Sequence, residues 1–155
     1  MEFTLEQKRA YDRAATICAR LEICAADLLK KLKAWKLADE EAQAVIERLR
    51  NDGFLDDERF ARAYVKDKFC FNGWGKRKIM YMLRSKHVAP DILEAAFTEI
   101  EDGAYAEKLR KLLVEKAKHI KDQGPYEKRG RLIRFALSRG FGLDEVNSLL
   151  NELEL

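Results

Sequence analysis

The sequence predicts an all-α protein of three tandem three-helix repeats in an elongated, curved array, and three observations carry that prediction. Ala, Leu, Lys, Arg and Glu dominate a chain of 155 residues that holds only two prolines and eight glycines, a composition that favours helix over strand. The glycines mark joints: Gly53 and Gly103 stand about fifty residues apart, with Gly73, Gly75 and Gly124 about twenty residues further on. Three segments also align, LKAWKLADEEAQAVIERL (32–49), LRSKHVAPDILEAAFTEI (83–100) and ALSRGFGLDEVNSLLNEL (136–153), with equivalent positions offset by 51 and then by 53.

The first repeat (1–51) is expected to hold helices near 5–21 and 24–36, then a third that carries Ala42, Val45, Ile46 and Leu49 at helical spacing. The second (52–101) opens on Asp56 or Asp57 as a cap and Glu58 at the positive end of the helix dipole. Its first helix, near 56–71, has Phe60, Tyr64 and Val65 as its apolar stripe. Its second, near 76–87, turns Ile79, Met82 and Leu83 inward, and its third carries Leu93, Ala96, Phe97 and Ile100. The third repeat (102–155) places helices near 103–121 and 126–139 and ends on Val146, Leu149, Leu150 and Leu153. A unit of some fifty residues buries little core alone, so neighbouring units are expected to pack on one another.

Hydrophobic residues make up 47% of the chain and charged ones 37%, which describes a globular protein and excludes a disordered tail. Charges begin at the second residue and no uncharged stretch approaches the roughly 18–20 residues of a membrane span, so a cytoplasmic protein is expected, not a secreted or membrane one. Three cysteines, Cys18, Cys24 and Cys70, lack CxxC spacing and point to neither a disulfide framework nor a zinc site. The alternation of charged faces leaves no long apolar stripe, and a monomer is expected.

Net charge is only +3, and the three repeats balance at +1, 0 and +2, so total charge says little about partners. Arrangement says more. No acid occurs from Lys68 through Pro90, a stretch holding Lys76, Arg77, Lys78, Arg84 and Lys86, and none from Lys128 through Leu143, which holds Arg129, Arg131, Arg134 and Arg139. Both runs fall on the second helix of a repeat, where Lys30, Lys31, Lys33 and Lys36 stand in the first, so three basic helices can form a stripe. Arg77, Tyr81 and Arg84 recur at i, i+4 and i+7, which sets a ring between two guanidinium groups suited to phosphates and to a base or a protein surface.

The stretch FNGWGKRKI (71–79) invites comparison with a phosphate loop, but such a loop needs GxxxxGK[ST] between a strand and a helix. Here the spacing is GxGK and Arg77 stands where the hydroxyl belongs, so Gly73 and Gly75 read as a hinge and Trp74, like Trp35, as a packing residue. His87 and His119 are solitary, with no HExxH or GxSxG, and adjacent Asp56 and Asp57 are most simply capping residues. No catalytic residue, metal ligand or cofactor is assigned.

GFLDDERFARAYV (53–65), GWGKRKIMYMLRSKHV (73–88) and RLIRFALSRGFGLDEVNSLL (131–150) together resemble the RecX regulatory proteins of bacteria, and the likeness extends over the chain, with CARLEICAADLLKKL (18–32) matching in outline. The resemblance implies a regulator without chemistry of its own. Such a protein binds the recombinase RecA, chiefly as its filament on single-stranded DNA, and restrains its ATP hydrolysis, strand exchange and coprotease activity. It implies contacts from Lys76, Arg77, Lys78, Arg84 and Lys86 and from Arg131, Arg134 and Arg139, with single-stranded DNA, and double-stranded DNA as a second form, within the partner set. Tyr81, Lys128 and Arg129 join this site from the basic runs. The alternative is a stand-alone DNA-binding protein of helix-turn-helix type, or a helical scaffold for another protein. Against the former, Glu40, Glu41 and Glu47, and Asp91, Glu94 and Glu99, would repel phosphate from the third helices.

Overall fold

Local caps decide where the helices begin. The Thr4 hydroxyl accepts from the Gln7 amide (3.1 Å) while the Gln7 side chain accepts from the Thr4 amide (2.9 Å), a reciprocal box that starts α1 (Leu5–Arg20). There follow α2 (Ala25–Ala34), α3 (Asp39–Asn51), α4 (Asp57–Cys70), α5 (Lys76–Ser85), α6 (Pro90–Ala96), α7 (Ala104–Lys118), α8 (Pro125–Ser138) and α9 (Leu143–Leu153). The computed structural model describes residues 2–121 and 124–155; Met1, Asp122 and Gln123 lie outside the described residues. Among the described residues all regular structure is helical, as the composition predicts.

One element differs from expectation. The pattern Leu93, Ala96, Phe97, Ile100 predicts a continuous helix, but α6 stops at Ala96 and the backbone tightens into a 3-10 turn at Phe97–Glu99. The Ile100 amide donates to the Phe97 carbonyl at 3.1 Å, and Gly103, at φ +83°, stands at the start of α7 as its N-cap.

The repeat is visible in the joints. At the ends of α2, α5 and α8 the residues Lys36, His87 and Gly140 take left-handed φ values of 69°, 60° and 100°. Each is followed by a buried apolar residue, Leu37, Val88 or Phe141, whose amide reaches back to Leu32, Leu83 or Ala136 at 3.3, 3.2 and 3.1 Å. That is one C-terminal helix motif used three times.

The chain divides into two compact units, residues 1–63 with 83–96 and residues 64–82 with 97–155, and the division passes through α4 and α5. In the first unit, Ala14, Leu28, Leu32, Val45 and Leu49 are fully buried in the core of α1–α3. Cys24, before α2, makes no side-chain cap, and Asp57 supplies one from a distance by accepting the Ala25 amide at 2.9 Å. Asp56, its neighbour, caps α4 by accepting from Glu58 and Arg59. Ion pairs Glu22–Arg59 and Asp27–Lys86, each 2.6 Å, add to the same unit. In the second, Leu113, Leu132, Phe141, Val146 and Leu150 form the core, and Tyr105 lies between Phe69 and Phe141 at centroid distances of 5.9 and 5.2 Å.

Candidate partner-binding face

The joint before α5 is a fixed dock. At its start the Gly75 amide donates to the Arg139 carbonyl (2.7 Å), the Lys76 amide to the Tyr105 hydroxyl (3.0 Å) and the Arg77 amide to the Gly140 carbonyl (3.0 Å). Amides that a phosphate would need are thus occupied by the end of α8 and by α7. A Cβ on Gly75 would lie 2.5 Å from the Gly140 backbone, and one on Gly140 would lie 2.5 Å from the Lys78 Cβ, so two glycines permit the close approach. Burial pushes the Tyr105 phenol up to about 12, so its hydroxyl stays protonated and accepts the Lys76 amide.

From this anchor α5 projects its cations. Ile79 and Leu83 are fully buried, which leaves Lys76, Arg77, Tyr81 and Arg84 exposed, Tyr81 at 72%. Helical register sets Arg77, Tyr81 and Arg84 along one side of α5, as their spacing predicts. Two ammoniums lie over rings, that of Lys78 4.4 Å from the centre of Trp74 and that of Lys76 4.8 Å from the centre of Tyr105, and Lys78 is half-buried. Lys86 pairs with Asp27 in the first unit.

On α8 the basic residues divide in the same way. Arg131 and Arg134 are exposed and border, with the nearly fully exposed Tyr126, a surface depression of about 470 Å³. Arg129 faces α9 and the residues after it: its guanidinium donates to the Asn151 side chain (2.9 Å) and the Asn147 side chain (3.3 Å) of α9 and to the Leu155 carbonyl beyond it (2.9 Å). Arg139 donates to the Asn72 carbonyl (3.0 Å) and lies 5.0 Å over the Phe135 ring. Lys128 is half-buried beside Val114, Ala117 and Leu153. Lys86, Arg129 and Arg139 therefore have structural work within the chain, while Lys76, Arg77, Tyr81, Arg84, Arg131 and Arg134 present side chains to solvent.

Phe71, outside the sequence-derived site, is 84% exposed. Lys108, also outside it, donates from its ammonium to the Cys70 carbonyl at 2.9 Å. The available signal was a large apolar residue next to Asn-Gly, at the edge of an acid-free run. Trp74, read as packing, is half-buried: it meets the Tyr64 edge and carries the Lys68 and Lys78 ammoniums at 5.0 and 4.4 Å.

Among the described residues no group of three His, Cys, Asp or Glu side chains is placed to hold a metal ion, and no helix is long and apolar enough to cross a membrane.

A family model described as the second three-helix domain of RecX matches residues 56–96, and one described as the third three-helix domain matches residues 104–150. All eleven residues of the sequence-derived site lie inside those two segments. The regulatory protein RecX of Legionella pneumophila (strain Corby) is 27% identical over 146 residues, covering 94% of this chain and 95% of that protein. Its counterpart from Clostridium botulinum (strain Alaska E43 / Type E3) is 32% identical over 117 residues, 74% of this chain, which spans only 54% of that longer relative. The crystal structure of RecX from Lactobacillus salivarius is similar in fold, with a TM-score of 0.85 at 19% identity over 96% of this chain and 97% of that one. A second crystal structure of regulatory protein RecX also gives 0.85, at 21% identity over 94% of this chain and 72% of the other.

Proposed function

The chain belongs to the RecX family of regulatory proteins, and on that premise we propose that it binds RecA in the cytoplasm, chiefly as the filament on single-stranded DNA, and inhibits its ATP hydrolysis, strand exchange and coprotease activity. The observation that supports this reading most is the placement of exposed cations, Lys76, Arg77 and Arg84 on α5 and Arg131 and Arg134 on α8, within acid-free stretches of both matched three-helix segments. A nucleoprotein filament offers phosphates and acidic protein surface, and both attract such faces. The same reading divides the chain into repeats 1–51, 52–101 and 102–155, supported by the recurring left-handed joints at Lys36, His87 and Gly140.

The test is the single-stranded-DNA-dependent ATP hydrolysis of RecA from the same bacterium, titrated with this protein at physiological salt. Hydrolysis is expected to fall, and the variant carrying Arg77→Glu and Arg84→Glu is expected to need at least about tenfold more protein for the same effect while its circular dichroism is unchanged. Unaltered hydrolysis with the native chain, alongside intact binding to bare DNA, would replace the regulatory reading with that of a stand-alone DNA-binding protein.

A further inference from the structure

The turn between α4 and α5 holds an aromatic ring in the open. Phe71 is 84% exposed, yet the backbone around it is pinned on both sides. The Lys108 ammonium donates to the carbonyl of Cys70 at 2.9 Å, and the Arg139 guanidinium donates to that of Asn72 at 3.0 Å. The Phe71 amide itself reaches the Asp67 carbonyl (2.9 Å), and the Trp74 amide closes the turn on Lys68 (3.0 Å). The ring thus stands on an ordered support, and a partner that covers it has little backbone freedom left to remove.

Four cations are held at the residues of this turn, all within the second unit. Lys108 and Arg139 hold its flanks, and Trp74 carries the Lys68 and Lys78 ammoniums at 5.0 and 4.4 Å. An ammonium has three donors and a guanidinium five, so one carbonyl bond or one ring face leaves N–H groups for an anion. No carboxylate lies between Lys68 and Pro90 in the chain.

An open ring beside several cations matches the chemistry of a single strand, which alternates a flat base with a phosphate. In a duplex the bases are already stacked, whereas a strand's bases are open to an added ring.

We infer that the Phe71 turn is a stacking contact for one base of a single-stranded nucleic acid, with flanking phosphates met by Lys68, Lys78 and Lys108. The inference rests on the reading that the protein works at a filament's single strand, and it gives that reading a site apart from the exposed face of α5. The competing occupant is an acidic protein surface with an apolar pocket. A strand is favoured because the ring is 84% exposed on a turn whose carbonyls are braced by cationic side chains, in an acid-free stretch of the chain.

The experiment compares the affinity of the full chain for a labelled oligothymidylate with that for an abasic sugar-phosphate strand of equal length, at one salt concentration. Phe71→Ala is expected to weaken oligothymidylate binding about tenfold and to leave the abasic strand unaffected, while Phe71→Trp binds as the native chain does. Equal oligothymidylate affinity for Phe71→Ala and the native chain, an equal loss on both strands, or no preference of the native chain for bases over the abasic backbone overturns the inference. Normal oligothymidylate binding by Phe71→Ala with lost inhibition of RecA hydrolysis also overturns it, and assigns the ring to protein. The strand assay contains no recombinase, so a failure of the regulatory reading appears separately, in the hydrolysis titration.

Discussion

Arg129 and Arg131 stand two positions apart on α8 and have opposite fates. A step of two residues turns a helix by roughly 200°, so one guanidinium meets the polar atoms of α9 while the other meets solvent. Arg129→Ala is therefore expected to lower stability by about 2 kcal/mol in urea denaturation, since it removes a charged donor from several acceptors, and to leave partner affinity of the folded protein unchanged. Arg131→Glu with Arg134→Glu is expected to do the reverse: stability stays within about 0.5 kcal/mol and affinity for the filament falls. Asp27 carries a second prediction. Burial raises its carboxyl pKa, but the hydrogen bond and charge of Lys86, 2.6 Å away, outweigh that and hold it below its ordinary 3.8. A carboxyl depressed in the folded state contributes stability above its unfolded pKa and loses it as pH falls through the folded one. The native chain should accordingly lose more stability than Asp27→Asn when urea midpoints are followed downward from about pH 4.

At the scale of the element, the joints carry the information. His87 adopts a left-handed conformation that costs a side-chain-bearing residue about 1 kcal/mol, where the equivalent position of the third repeat has Gly140. His87→Gly is expected to raise stability by about 0.5–1 kcal/mol, read as an increase in melting temperature. Gly75→Ala should lower it by about 2–3 kcal/mol, because the new methyl would meet Gly140 backbone atoms at 2.5 Å, where no flexible side chain is present to give way. The glycines at 73 and 75 are conspicuous in the sequence, where they read as a hinge. Their role as a dock depends on Arg139 and Gly140, more than sixty residues further along, and local spacing holds no record of that partnership. The sequence offers Asp56 or Asp57 as the cap of α4; Asp56 takes that place, and for the same reason the use of Asp57 to cap α2 is not legible locally.

For the whole molecule, a net charge of +3 conceals acid-free segments, and binding through them must depend on salt. Affinity for the nucleoprotein filament is expected to fall by at least about tenfold between 50 and 200 mM salt, as bound phosphates release counterions. A flat profile in a salt titration would assign the affinity to apolar contacts. Helix content, the order of the helices, the repeat near fifty residues and the likeness to RecX all follow from the sequence alone, because periodic burial and cap chemistry act between near neighbours in the chain. Which cations stay available to a partner was decided by tertiary structure. Lys86, Arg129 and Arg139 look like Arg84, Arg131 and Arg134 in sequence, yet the former three meet Asp27, the asparagines of α9 and the carbonyl of Asn72. Phe71 has no role assigned from sequence and stands in solvent, on a turn whose carbonyls are held by Lys108 and Arg139, both distant in sequence. Composition sets how much charge and apolar surface a chain has, and only long-range packing determines which of it is left uncovered.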